Sequence, residues 1–319
     1  MTTAAAAESA VRRAPRQAAF DPIFKALCLG AATMLLAALG GILVVLTIGG
    51  WPALHRFGLG FFTSTTWNPV TDVYGAEGPI MGTTITSVLA LVMALPLAFG
   101  VSVFLVEFAP RAIQRPIAIA VELLAGIPSI VYGMWGLFVF APFFAKYVQL
   151  PLVMAAPPGS LLEKLTGGVP NGANIFTASV ILAIMILPFM AAVLRELLMT
   201  VPPQLRESAY GMGGTSMEVV WKVLLPYVRK SAIGAVMLGL GRALGETMAV
   251  TFIIGNSHGI PKSLFDSGST LASTIANEFA EATSDMHTSA LIALGLVLFL
   301  ITFSVLAMAR ALLGAQRTY

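Results

Sequence analysis

Charge is scarce in this chain. Asp, Glu, Lys and Arg make up 10% of its 319 residues, against roughly 25% in a soluble domain, and that shortage excludes a globular protein in water. Cysteine is scarcer still: with Cys28 alone, no disulfide can form within the chain, and the redox compartment is left open. The three histidines, His55, His258 and His287, have no metal-ligand spacing, so no metal site is expected. The sequence contains no Gly-x-x-x-x-Gly-Lys-Ser/Thr loop, no His-Glu-x-x-His and no Gly-x-Ser-x-Gly. It therefore lacks the usual machinery for hydrolysing ATP or for protease and esterase chemistry, and no catalytic residue or bound cofactor is assigned.

What is present is apolar: 57% hydrophobic residues and a mean hydropathy of +0.88, the balance of an integral membrane protein. Runs able to cross a hydrocarbon core of roughly 30 Å lie at 25–50, 81–107, 117–145, 174–199, 231–255 and 288–314. The first is too long for the apolar stretch of a signal peptide, so six transmembrane helices are expected. Basic residues gather on one side: Arg12, Arg13, Arg16 and Lys25; Arg111 and Arg115; Arg195, Arg206, Lys222, Arg229 and Lys230; Arg310 and Arg317. Only Arg56, Lys146, Lys164 and Lys262 fall on the other side. By the positive-inside rule both termini are expected in the cytoplasm, and the net charge of +3 reflects topology, with no nucleic-acid partner. Residues 1–20, rich in Ala and Arg, read as a flexible cytoplasmic tail, and 21–319 as one transmembrane domain.

The outward loops differ. Trp51, Phe61, Phe62, Trp67 and Tyr74 in the 51–79 loop read as interfacial anchors. The Pro- and Gly-rich 146–171 loop is a connector or a cap that meets a partner. In the 257–287 loop the helix-like stretch 271–281 either dips towards a pore mouth or lies solvated.

Between the fourth and fifth helices the cytoplasmic segment 204–226 is polar and divided in two. A short helix after Pro202-Pro203 runs to Met212, Gly213-Gly214 allows a turn, and Thr215 with Glu218 has capping-box spacing for a second helix. Val219, Val220, Val223 and Leu224 form its apolar side, and Pro226 is expected to end it. Such a pair is either a knob for a partner's groove or a helix pair lying on lipid.

The fifth run carries Arg242 and Glu246. Placed four apart on a helix starting near Ser231, both fall near mid-membrane on one side, with Gly241 and Gly245 allowing a close helix approach. Burying each charge in lipid would cost at least ~2.5 kcal/mol, so they face protein or a water-filled path. The pair reads either as a structural ion pair or as an anion site, in which Arg242 offers paired donors to a tetrahedral oxyanion. A carboxylate repels sulfate but accepts a hydrogen bond from protonated phosphate, which favours phosphate; the alternative is that Glu246 only trims the Arg242 charge so that the ion can leave. Glu122, early in the third run before Gly126-Ile127-Pro128, is a weaker path candidate whose structural role is preferred; Pro128 is expected to kink or open that helix.

Glu207-x-Ala209, Gly213 six residues after the Glu, Val223 ten residues later, then Leu225-Pro226, resemble the EAA loop of ABC importer permeases, with Ser208 where Ala is usual. The stretches 239–250 and 126–133 resemble signatures of the PstC-type permeases of phosphate-specific ABC importers. This resemblance covers the chain from about residue 20. It implies an all-α, six-helix type I importer permease core with a cytoplasmic coupling helix between helices 4 and 5, in a bacterial inner membrane. It further implies a homologous PstA-type permease, a PstB-type ATPase dimer that uses ATP and Mg, and a PstS-type phosphate-binding protein outside. In that family the positions matching Arg242 and Glu246 are tied to phosphate passage, and the EAA loop docks on the ATPase. A permease for sulfate or molybdate and an ion-coupled phosphate carrier are the alternatives.

Overall fold

The structure is a computed structural model that describes residues 21–315; the tail expected over 1–20, and Arg317, lie outside them. The chain divides into two units, Met1–Gly49 and Gly50–Tyr319. Six helices among the described residues are long and apolar enough to cross a membrane: Pro22–Phe57, Glu77–Phe108, Ser129–Ala155, Ile175–Met199, Ser216–Leu244 and Asp285–Ala311.

In chain order the elements are α1 (Asp21–Phe57), the short strands β1 (Trp67–Asn68) and β2 (Val73–Tyr74), α2 (Glu77–Val103), α3 (Arg111–Ala125), α4 (Ser129–Trp135), α5 (Ile175–Met199), α6 (Pro203–Gly211), α7 (Ser216–Val219), α8 (Leu225–Leu244), α9 (Met248–Ile253), α10 (Leu271–Glu278) and α11 (Asp285–Ala315). Up to Gly49, α1 keeps its large apolar side chains exposed, among them Met34, Leu35 and Ile48, as a lipid-facing helix does. In the second unit α5 is the central element. Ile181, Leu182, Met185, Ile186 and Met190 are buried along it, and Ala90, Ala94 and Ala98 of α2 join them in one apolar core. Alanines every four residues let the two backbones approach closely; Ser102 of α2 then donates to the Ala191 carbonyl of α5 at 2.9 Å.

Two expected boundaries move. The third run is split, because Gly126, Ile127 and Pro128 separate α3 from α4 and Pro128 takes an extended ψ of 136°. The crossing helix is therefore Ser129–Ala155, not 117–145. The fifth crossing helix begins at Ser216, four turns before the expected start, and stops at Leu244. Pro226 does not end it. A π-turn over Val220–Leu224 precedes it, so the ladder has already opened where the proline lacks its N–H and presses on the preceding turn. The same spacing recurs at Phe104–Phe108 before Pro110, Gly136–Phe140 before Pro142 and Ala145–Gln149 before Pro151. At Pro142 and Pro151, as at Pro226, the helix continues past the proline, whereas before Pro110 it ends, with Ala109 turning extended (ψ 128°).

The 51–79 loop is only partly an interfacial belt. Trp51 is exposed, but Phe61 and Tyr74 are buried in a second core with Leu271, Leu291 and Leu294. β1 and β2 pair antiparallel, Trp67 opposite Tyr74. Nor is α10 a solvated helix: Leu271, Ala272, Ser273 and Thr274 are buried, and the Leu271 N–H donates to Thr83 of α2 at 2.9 Å.

Candidate functional site

The expected pair on the fifth helix is taken apart by a break. α8 ends at Leu244, with Gly245 turning out of the helix (φ −91°, ψ 4°), and α9 starts afresh at Met248. Glu246 faces the new helix, its Oε1 accepting the Ala249 N–H at 3.1 Å. Among the described residues no ion pair joins it to Arg242, so a structural Arg242–Glu246 bridge is not what holds this region. Arg242 is exposed, with its Cζ 5.7 Å above the Phe189 ring of α5 and Tyr132 of α4 within electrostatic reach.

Nor does Gly241-x-x-x-Gly245 provide the close helix approach. Gly241 faces Leu306 of α11 at ordinary contact, and Gly245 meets only its own helix. The tight crossing is made by Gly133: a methyl group there would lie 3.0 Å from the Ala249 Cα and 3.2 Å from the Met248 carbonyl oxygen. α4 and α9, each beginning just after an interruption in its helix, are thereby held against each other. Glu122 is exposed on α3 and sits 3.5 Å from Arg195 Nη1, which also contacts Glu196 at 2.9 Å.

At the coupling end, α6 and α7 form the expected helix–turn–helix. Gly213 adopts φ +87°, a left-handed conformation that costs glycine nothing; its N–H donates to the Tyr210 carbonyl, and that of Gly214 to the Ala209 carbonyl. The Thr215–Glu218 capping box is formed. Ala209, Val219 and Leu224 are buried together with Val103 of α2 and Leu198 of α5. Glu207 and Pro226 are exposed, while Val223 and Leu225 are half-buried. The segment thus seats one face on the bundle and leaves Glu207, Met212 and Gly213 outward.

Two clusters escaped the sequence reading. Glu107, in the π-turn that ends the second crossing helix, lies 2.9 Å from Arg206 Nη1 and accepts the Tyr210 hydroxyl at 3.0 Å. At the opposite end Glu278 accepts from Trp67 Nε1 at 2.7 Å and meets the Nε2 atoms of His258 and His287, each at 2.9 Å. Trp67 stacks on His258 and Tyr74 on His287. Burial works against the Glu278 charge, but the donors His258, Trp67 and His287 outweigh it and hold its carboxyl below the usual range. Burial pushes the Tyr74 phenol up to about 12, opposed by the Ser284 hydrogen bond and aided by Asp72. Glu107 with Arg206, and Glu278 with Trp67 and His258, join residues tens to hundreds of positions apart, and no local spacing signals them.

Residues 99–317 match the family described as binding-protein-dependent transport system inner membrane component. The chain is 53% identical to the phosphate transport system permease protein PstC of Mesorhizobium japonicum, over 93% of this chain and 91% of that one. It is 50% identical to the PstC of Haemophilus influenzae, over 92% and 93%. Its fold resembles that of a bacterial ABC transporter involved in the import of the acidic polysaccharide alginate, with a TM-score of 0.55 at 15% identity, over 91% of this chain and 96% of that one. Sequence relatives and fold agree: the chain belongs to the family of binding-protein-dependent transport system inner membrane components, among the PstC phosphate transport permeases.

Proposed function

We propose that this chain is one of two permease subunits of an ATP-driven importer of inorganic phosphate, with both termini in the cytoplasm and the coupling segment Pro203–Pro226 seated on a separate ATPase. The observation that carries the reading is Arg242, a guanidinium at the end of an interrupted helix, exposed and left unpaired by Glu246. On an apolar helix such a charge has to meet water, an anion or a partner subunit, because lipid is too costly. Arg242 offers paired donors to the phosphate oxygens. Glu246, ordered by the Ala249 amide, accepts a hydrogen bond from the hydroxyl that phosphate retains and sulfate lacks.

The remaining parts belong to partners. A homologous PstA-type permease closes the path, a PstB-type ATPase pair supplies ATP and Mg, and a PstS-type binding protein delivers phosphate from outside. The likeness to phosphate transport system permeases and the coupling segment's outward Glu207 and Gly213 support this assignment. Closure of the ATPase pair pushes on α6 and α7; α7 runs without interruption into α8, so the push reaches Arg242 along one helix.

The test is radiolabelled phosphate uptake into proteoliposomes carrying this chain with its partners, with and without ATP and with sulfate as competitor. Uptake that needs ATP and ignores sulfate is expected. Competition by sulfate would overturn the role of Glu246, and uptake by this chain alone under an ion gradient would overturn the importer reading.

A further inference from the structure

We propose that Arg206 and Glu107 form a mechanical tie that transmits movement of α6 into the second and fourth crossing helices, in addition to the fifth. The inference rests on the reading of α6 and α7 as the ATPase-docking segment. Covalently, α6 connects only to α5, through Thr200–Pro202, and to α8, through the Gly213 turn and α7. α2 has no such link to it. The tie supplies one: Arg206 Nη1 lies 2.9 Å from Glu107 Oε1, Arg206 Nη2 donates to the Leu198 carbonyl at 2.6 Å, and the Tyr210 hydroxyl donates to Glu107 Oε2 at 3.0 Å.

The arrangement locks α6 in more than one direction. Arg206 and Tyr210 stand one turn apart on the same face, the first meeting Glu107 Oε1 as an ion pair and the second hydrogen-bonded to Oε2, so α6 can neither roll nor slide without parting a contact to the carboxylate. The guanidinium joins two crossing helices at once, α5 through the Leu198 carbonyl and the end of α2 through Glu107. The Glu107 side chain is 6% exposed and that of Arg206 21%, so water does not compete freely. The π-turn Phe104–Phe108 carries Glu107; such turns re-aim side chains and recur at functional sites. Gln114 Nε2 donates to the Leu105 carbonyl at 2.8 Å and anchors the same turn to α3. A buried ion pair is weak evidence of added stability, so a role in transmission accounts for the geometry better than a contribution to folding does.

The experiment compares phosphate uptake and ATP hydrolysis in the full reconstituted complex for wild type, Arg206→Lys, Tyr210→Phe and Glu107→Gln. Lysine keeps the charge but, as a compact ammonium, does not reproduce a fork held on two partners; phenylalanine removes one hydroxyl from a side chain that is partly exposed. Coupling free energies between sites usually correspond to roughly 5- to 150-fold effects. We expect phosphate taken up per ATP hydrolysed to fall at least about fivefold in Arg206→Lys, and less in Tyr210→Phe, at unchanged complex yield. Uptake and hydrolysis falling in proportion to the amount of assembled complex would reduce the tie to a structural contact and overturn the proposal. So would an unchanged ratio in all three variants. Wild-type complex without ATP-dependent phosphate uptake would overturn the functional reading itself, and the transmission role with it.

Discussion

Replacing Glu278 with Gln tests the reasoning at the end of the bundle opposite the coupling segment. The carboxylate serves three donors through two oxygens, Trp67 Nε1, His258 Nε2 and His287 Nε2. Glutamine leaves one acceptor oxygen, enough for two donors, and points its amide group at the third. The exchange loses a hydrogen bond to a charged group, worth about 1.5–3 kcal/mol, and leaves an N–H facing an N–H at about 1–3 kcal/mol. The imidazole recovers part of the second cost by moving its proton to Nδ1, so a local loss of about 2–4 kcal/mol is expected. Hydrogen exchange of the amides around Trp67–Tyr74 and Ser257–Thr270 reads this as roughly 30- to 900-fold faster opening. The pH dependence has a definite sign. Glu278 titrates below its ordinary value, so its contribution is complete above about pH 4.3, the free value, and is lost as pH falls through the lower folded one. Glutamine should abolish that acid limb. Equal protection of variant and wild type at neutral pH, or an acid limb that survives in the variant, would refute the assignment of Glu278 as the shared acceptor.

Three further outcomes are expected. Gly133→Ala brings a methyl group to 3.0 Å from the Ala249 Cα and the Phe252 ring, which costs about 1–3 kcal/mol of overpacking and, by parting α4 from α9, slows uptake more than it lowers the melting temperature. Arg242→Gln should abolish phosphate uptake while the purified complex keeps its subunit composition; uptake at the wild-type rate would remove Arg242 from the path. Gly213→Val forces a branched side chain into φ +87°, at about 1–2 kcal/mol of backbone strain, and is expected to weaken ATPase binding in pull-down and to lower coupled hydrolysis.

Hydropathy and local spacing determined much of this protein, because each is carried by neighbouring residues. Six apolar runs, the capping box at Thr215 and Glu218 and the Gly213 turn are properties of stretches shorter than about thirty residues, and the structure has them all. Helix boundaries at prolines were not decided locally. Pro128 follows a helix end, while Pro226 lies inside a helix after a widened turn and Pro96 and Pro188 lie inside helices without one. Only the tertiary structure decided that Arg242 and Glu246 part company at Gly245, that Phe61 and Tyr74 serve a core instead of an interface, and that α10 is buried. It alone brought Glu107 to Arg206 and Glu278 to His258, His287 and Trp67. For Glu107 and Glu278 the physical reason is the same. A charge placed among apolar side chains is tolerable only beside a specific partner, and chain folding, which brings distant positions within 3 Å, selects that partner where sequence distance cannot.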